Sequence, residues 1–338
     1  MSLPSQMRAV RFSPQEGAGQ VSKDCPADIR IVTQPVPRPG AGEVLIRVNA
    51  AGINNADLLQ RIGGYNVPEG ASEIPGLEVA GTIASVGEGV TTWREGDRAC
   101  ALLAGGGYAE YVVVDARQVA PVPEQVELVE AAGIVETAAT VWLNVFMTAE
   151  FTKDDWVLIH GGSGGIGTMA IQMVKAMGGR PIATAGTDDK VEYARFLGAQ
   201  GINYKTENFV DRVHDITGGH GADIVLDVVA GQYSEDNLRA IANRGRWVVI
   251  GTAGGIKGQI NFMRVMAKQA VVTGNLLRPR TAQEKGEILA DVVEHIWPLV
   301  TNGAIDPLIA QTFKLENANA AYQRFAESDR VGKIVLTI

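Results

Sequence analysis

A chain of 338 residues exceeds one typical domain of about 100–200 residues, so two domains are the default. Its 46% hydrophobic and 20% charged residues suit a protein that buries sizeable cores. A net charge of −8 leaves no basic footprint for nucleic acid. No uncharged apolar run reaches the ~18 residues of a membrane span and no signal peptide opens the chain, so a cytoplasmic protein with no nucleic-acid and no membrane partner is expected. Cys25 and Cys100 are too few for a disulfide framework and lack C-x-x-C spacing, which fits a reducing compartment.

In chain order, residues 1–6 read as disordered. Short strand candidates follow at 8–12, 29–34, 43–50, 79–86 and 108–114. Turn chemistry separates them: Pro35, Pro37, Pro39-Gly40 and Gly42 before one strand, Gly87-Glu88-Gly89 after another. Strands at this spacing predict a partly open β-barrel. From Thr137 the pattern turns helical. Trp156-Val157-Leu158-Ile159 then reads as a short buried strand, and residues 168–177 repeat apolar side chains at helical spacing. Between them His160-Gly161-Gly162-Ser163-Gly164-Gly165-Ile166-Gly167 matches G-x-G-x-x-G, where glycines let a pyrophosphate approach the backbone at a helix N-terminus. A strand at 181–184, a helix at 188–197 and strands at 223–226 and 247–250 continue a β-α series, which predicts a Rossmann doubly wound parallel sheet. A helix at 318–328 and a strand at 333–337 return to the first domain. The expected division is 1–136 with 303–338 for the β-rich catalytic domain and 137–302 for the nucleotide domain.

An NAD-preferring site of this kind places Asp or Glu at the end of the second strand to bind the ribose 2′-hydroxyl. That place here holds Ala185-Gly186-Thr187. A 2′-phosphate therefore meets no carboxylate, and Lys190, one helical turn beyond Gly186, is placed to pair with it. The alternative for Lys190 is a solvated helix lysine, and Asp188 and Asp189 in the same first turn would repel a phosphate unless they face solvent.

This order of parts resembles the medium-chain dehydrogenase/reductase superfamily, and most closely its zinc-independent quinone oxidoreductases, the group that includes zeta-crystallin. The residues that carry the resemblance are Gly52-Ile53-Asn54-Asn55-Ala56-Asp57-Leu58, Gly64-Tyr65, Pro75-Gly76-Leu77-Glu78-Val79-Ala80-Gly81, the turn Gly161 to Gly167, Gly186 with Lys190, Asn203-Tyr204, and Gly332-Lys333-Ile334-Val335-Leu336. It implies a GroES-like barrel beside the Rossmann domain, and NADPH held at its 2′-phosphate by Gly186, Thr187, Lys190 and Tyr204. It further implies Thr140 near the nicotinamide phosphate, Gly162, Ser163, Gly164, Gly165 and Ile166 on the pyrophosphate, and the strand-end loops Val229-Ala230 and Gly251-Thr252-Ala253. Asn275-Leu276-Leu277 would lie near the nicotinamide, followed by Arg278, for which a surface charge is an equal reading.

Zinc enzymes of this fold carry Gly-His-Glu where Gly76-Leu77-Glu78 stands, and a cysteine where Asn55 stands, so no metal is expected. The resemblance makes Tyr65 the candidate hydrogen-bond donor to the acceptor, and Asn55 a contact of the nicotinamide ribose or the substrate. Surface-turn and turn-stabilising roles are their alternatives. For Glu78 a buried pair is expected, and for His160 a structural hydrogen bond. The resulting expectation is an NADPH-dependent quinone oxidoreductase taking a small quinone or conjugated carbonyl. An enone or enoyl-thioester reductase is the alternative, and a non-catalytic NADPH-binding protein a further one. A homodimer through the sheet edge near Ala270-Val271-Val272-Thr273 is implied by the same resemblance.

Overall fold

The computed structural model describes residues 3–15, 21–327 and 329–338. Met1 and Ser2 of the expected disordered start, and Ser328 of the expected last helix, lie outside the described residues; β1 already begins at Gln6. Two compact units form, one from Met1–Glu136, Arg278–Thr301 and Pro307–Ile338, the other from Thr137–Leu277 and Asn302–Asp306.

The chain begins with strands β1 (Gln6–Ser13), β2 (Asp28–Pro35) and β3 (Glu43–Gly52), then helix α1 (Asn55–Arg61). Strands β4 (Glu78–Val86), β5 (Arg98–Leu102), β6 (Tyr111–Asp115) and β7 (Val119–Pro121) precede helices α2 (Leu128–Ala131) and α3 (Val135–Val141). The nucleotide unit holds β8 (Trp156–His160), α4 (Gly165–Ala176), β9 (Arg180–Ala185), α5 (Asp188–Leu197), β10 (Gln200–Asn203) and α6 (Phe209–Thr217). It continues with β11 (Ala222–Asp227), α7 (Ser234–Ala240), β12 (Ile241–Val249), α8 (Phe262–Lys268) and β13 (Val271–Gly274). Helices α9 (Ala282–His295) and α10 (Trp297–Thr301), strand β14 (Ile309–Lys314), helix α11 (Ala318–Ala326) and strand β15 (Lys333–Thr337) complete the chain.

In the first unit, β1 and β2 form an antiparallel ribbon, and a seven-stranded sheet runs β14-β15-β3-β4-β5-β7 with β6 on β3. Val44, Ile46, Val48, Val79, Ile83 and Ile334 fill its core. The last strand thus closes back on β3, Val335 lying opposite Gly52. The glycine run Gly105-Gly106-Gly107 is tied to the segment before β4 by backbone hydrogen bonds. Gly106 N donates to Ile74 O and Gly107 N to Gly76 O, and a Cβ on Gly105 would lie 2.6 Å from Ser72 O.

In the second unit six parallel strands run β10-β9-β8-β11-β12-β13. The order reverses between β8 and β11, the topological switch point beyond whose strand ends such sheets bind ligands. Helix ends are set locally: Asn208 Oδ1 accepts from Val210 N and Asp211 N to start α6, and Gly198 at φ 108° ends α5. Strand β12 begins at Ile241, six residues before the expected start, despite Arg244 and Gly245 within it; Arg244 sits at φ 60°.

Two boundaries differ from expectation. Residues 278–301, assigned in the sequence to the nucleotide domain, belong to the first unit, where Trp297 Nε1 donates to Pro121 O at 2.8 Å. Residues 302–306 join the second unit, because the Gln172 side chain grips both backbone groups of Asp306, at 2.8 and 3.2 Å. The helical run Leu128–Thr148 is long and apolar enough by composition to cross a membrane, and 72% of its apolar window is buried inside the protein. Glu130 and Glu136 interrupt that run in the sequence.

Candidate functional site

The glycine turn after β8 gives each glycine a distinct physical task. A Cβ on Gly162 would press on Ala183 Cβ at 2.7 Å, and one on Gly167 would enter the turn at Gly161 O and Gly162 Cα. These two glycines therefore allow strand, turn and helix to pack. Gly164 is different: it has φ −78°, and a Cβ there would meet nothing nearer than 3.6 Å. No side chain caps α4 and its first turn carries no acidic residue, so the helix start at Gly165 and Ile166 suits an anion. Ser163 is buried at the same turn. A pyrophosphate fits this cradle.

Strand pairing builds the next part. Asn203 of β10 lies opposite Ala185 of β9, which brings Tyr204 to Gly186; a Cβ on Gly186 would lie 2.8 Å from Tyr204 Oη. Asp188 is occupied, accepting from Asn203 Nδ2 at 2.6 Å, and Thr187 and Asp189 are exposed. Lys190 is half-buried on α5. The residues present fit a 2′-phosphate, and the two aspartates that opposed this reading are accounted for by Asn203 and by solvent.

A buried polar chain lies beneath the strand ends. His160 Nδ1 contacts Thr184 Oγ1 at 3.0 Å and Nε2 contacts Asn237 Oδ1 at 2.8 Å. Asn237 Nδ2 and Trp247 Nε1 donate to Asp227 Oδ2, while Asp227 Oδ1 accepts from Val229 N and Ala230 N. Because Asn237 presents its oxygen, Nε2 carries the proton and Nδ1 accepts from Thr184. Burial lowers the His160 pKa, with Asp227 opposing, so the ring is neutral and structural, as its sequence position suggested. The chain fixes the loop at Val229-Ala230, where Ala230 adopts φ 57°. Gly251 packs against Val228, and the half-turn ends with Thr252 and Ala253 exposed.

Sequence reading missed Asn144. It lies in a π-helix, Trp142–Thr148, that continues α3, a form that recurs at functional sites. Its Nδ2 donates to Thr140 O, while Asn275 Nδ2 reaches Asn144 Oδ1 and Thr148 Oγ1 at 3.2 and 2.9 Å. Thr140 and Asn275 are thus joined within one unit, beside exposed Leu276 and buried Leu277.

In the first unit Asn55 is exposed at the start of α1, and its neighbour Asn54 holds the buried network. Lys333 Nζ binds Glu78 Oε1 at 2.6 Å and Asn54 Oδ1 at 2.7 Å; Asn54 Nδ2 donates to Glu78 Oε1, and Glu136 N to Glu78 Oε2. Glu78 is therefore the carboxylate of a buried ion pair. Beside it Asp57 accepts from Tyr108 Oη at 2.7 Å, Asn54 N and Gly76 N. Burial raises its pKa against these hydrogen bonds. Tyr65 is half-buried, with the Arg278 guanidinium 5.2 Å from its ring centroid. Arg278 is no surface charge: it is 4% exposed, and its Nε and Nη2 donate to Ala104 O and Gln60 Oε1. Burial raises the Tyr65 pKa, Arg278 opposing and Glu136 adding, so its hydroxyl stays a donor at neutral pH.

Residues 40–124 match the family model of the alcohol dehydrogenase GroES-like domain, and residues 165–292 that of the zinc-binding dehydrogenase. The quinone oxidoreductase of Rattus norvegicus is 30% identical over 309 residues, which cover 90% of this chain and 91% of that protein. The chain belongs to the medium-chain dehydrogenase/reductase superfamily of oxidoreductases. It is also 30% identical, over 99% of its length, to 16% of the phthioceranic/hydroxyphthioceranic acid synthase of Mycobacterium tuberculosis. Among solved structures, mycobacterial Rv1454c complexed with NADPH matches with a TM-score of 0.84 at 28% identity, covering 98% of this chain and 100% of that one. An NAD-dependent alcohol dehydrogenase matches with a TM-score of 0.83 at 28% identity, covering 98% and 99%.

The matched family model is that of a zinc-binding dehydrogenase, but the donor set here does not provide a zinc site. Among the described residues no group of three or more His, Cys, Asp or Glu could hold a metal ion. Glu78 is held by Lys333 and Asn54, Leu77 precedes it, and burial pushes the Cys100 thiol up to about 12. A thiol so disfavoured as thiolate is a poor ligand, and these residues do not fit a zinc centre.

Proposed function

We propose that the protein is an NADPH-dependent quinone oxidoreductase that works without a metal. The observation that carries the cofactor half is the end of β9, where Ala185-Gly186-Thr187 holds no carboxylate for a ribose 2′-hydroxyl, Gly186 faces Tyr204 Oη and Asp188 accepts from Asn203. The NADPH complex of the structural neighbour and the quinone oxidoreductase relatives support this reading. NADPH supplies a hydride when bound. Gly162 to Ile166 would hold its pyrophosphate, Gly186, Thr187, Lys190 and Tyr204 its 2′-phosphate, and the loops at Val229-Ala230 and Gly251-Thr252-Ala253 the remainder. Thr140, Asn275, Leu276 and Leu277 would shape the nicotinamide end, tied together through Asn144.

Tyr65 is the proposed catalytic donor, placing its proton on the acceptor oxygen as negative charge develops there. Asn55, exposed at the α1 start, is the proposed ribose or substrate contact. Electron-poor conjugated acceptors need less electrophilic help than an alcohol oxidation would, which suits a site without a Lewis acid. The match to a segment of the phthioceranic/hydroxyphthioceranic acid synthase supports a second reading, reduction of an enone or enoyl thioester on the same scaffold. Steady-state NADPH oxidation with quinones, enones and acyl-thioesters, compared as kcat/KM, separates the two. We further propose a homodimer through β13, the outermost strand. Val271 and Val272 on it and Phe262, Met263 and Met266 on the adjoining segment are exposed apolar side chains, an unpaired edge of the kind proteins usually cover.

A further inference from the structure

Of the buried cations described in the first unit, two stand outside every ion pair, whereas Lys333 is paired with Glu78. Arg278 spends two of its N–H groups on neutral oxygens, Ala104 O and Gln60 Oε1, at 2.9 and 2.8 Å. Its Nη1 is buried with no hydrogen-bond partner among the described residues. Lys285 on α9 is 2% exposed, and its ammonium makes no hydrogen bond or ion pair among the described residues. It lies near enough to Arg278 for the guanidinium to disfavour its charge. The neighbouring carboxylates are engaged elsewhere: Asp57 by Tyr108 and two backbone N–H groups, Glu284 by Arg280 and Thr281. Buried charges are normally paired, because desolvation costs several kcal/mol per ion. Two neighbouring cations with no carboxylate in ion-pair contact among the described residues, felt only at longer range by Asp57 and Glu284, one of them against the Tyr65 ring, form a site with room in its charge balance for an anion.

We propose that Arg278 and Lys285 form a cationic subsite beside Tyr65 that binds an anionic oxygen group of the acceptor, so that quinones carrying a sulfonate or carboxylate are preferred over neutral ones. This rests on the reading of Tyr65 as the residue that meets the acceptor. Arg278 supplies the free N–H for a charge-assisted hydrogen bond, and Lys285 the second positive charge behind it. A free inorganic anion has the same chemistry, and the test separates it from an acceptor-borne group.

The test compares kcat/KM for a neutral ortho-naphthoquinone and its sulfonate in the wild type, R278K, R278M and K285M, with inorganic phosphate as inhibitor. The sulfonate is intrinsically more reactive, so the informative quantity is how its advantage changes between variants. That advantage is expected to fall about tenfold in R278M and in K285M, the worth of one charge-assisted hydrogen bond, and to survive in part in R278K. Phosphate is expected to compete with the sulfonate in the wild type and to lose this effect in K285M. An advantage unchanged across the variants overturns the proposal and leaves the reductase reading standing. So does phosphate competition that persists in K285M. If no quinone is reduced, the reductase reading fails, and calorimetric binding of the sulfonate to the NADPH-loaded protein still decides: weaker binding in both variants supports the subsite, and absent or equal binding overturns it. K285M removes a buried charge and is expected to fold at least as stably as the wild type, which keeps the test decisive if R278M does not fold.

Discussion

Replacing Lys285 with methionine is expected to stabilise the protein, an unusual sign for a core substitution. The side chain is 2% exposed, and burial first, then the Arg278 charge, lowers its pKa from 10.5 to about 8. Since one pKa unit is about 1.4 kcal/mol, holding this ammonium in the folded protein at pH 7 costs about 3 kcal/mol. Methionine keeps the apolar stem without the charge. The sign follows from linkage: between about pH 8 and 10.5 the unfolded chain holds the proton and the folded chain does not, so wild-type stability rises with pH there. The advantage of K285M should therefore shrink, from about 3 kcal/mol at pH 7 to about 1.5 kcal/mol at pH 9.5. Urea unfolding of both proteins at the two pH values, in a buffer without multivalent anions, measures it. K285M less stable than wild type at pH 7, or an advantage that does not change with pH, would refute the reasoning that Lys285 is a buried, uncompensated cation.

Three further outcomes follow from the site. K190A should weaken NADPH at least about tenfold more than NADH, by loss of one charge-assisted contact; equal losses in fluorescence titrations would remove the 2′-phosphate assignment. G167A should destabilise the nucleotide unit because its Cβ enters the turn at Gly162 Cα, whereas G164A should keep the melting temperature and still weaken NADPH, since its backbone accepts alanine and its open side is where the proposed pyrophosphate contact lies. The reverse pattern would contradict the division of tasks among the glycines. K333M, which leaves Glu78 buried without its ammonium, should cost about 3–5 kcal/mol, and E78Q in the same background should recover part of it. A loss below about 1 kcal/mol in urea unfolding would mean that the pair contributes little.

The nucleotide unit was the more legible part. Parallel strands buried on both faces leave continuous apolar runs such as Trp156 to Ile159, and the glycine turn has few alternatives once a strand and a helix flank it. Helix α5 matches its expected span because Gly198 ends it. The short strands β5, β7 and β10 were not legible, since three to five residues carry too little periodicity. The location of residues 278–301 escaped as well, because it depends on a tertiary bond from Trp297 to Pro121 rather than on local pattern. Among site residues, motif positions could be named in advance, but the partners that give them meaning could not. Asn203 donating to Asp188, Lys333 reaching Glu78 across 255 positions of sequence, and Arg278 lying against Tyr65 are contacts that only the folded chain creates. Asn54 rather than Asn55 sits in the buried network because only one of two adjacent residues can face inward where α1 begins.

The most direct measurement of the central claim is steady-state NADPH oxidation by the purified protein, with and without a metal chelator, across ortho- and para-quinones, enones and enoyl thioesters. The account predicts chelator-insensitive turnover with quinones at the highest kcat/KM, NADPH preferred over NADH, and a loss of kcat in Y65F. Turnover confined to enoyl thioesters, or abolished by the chelator, would contradict it.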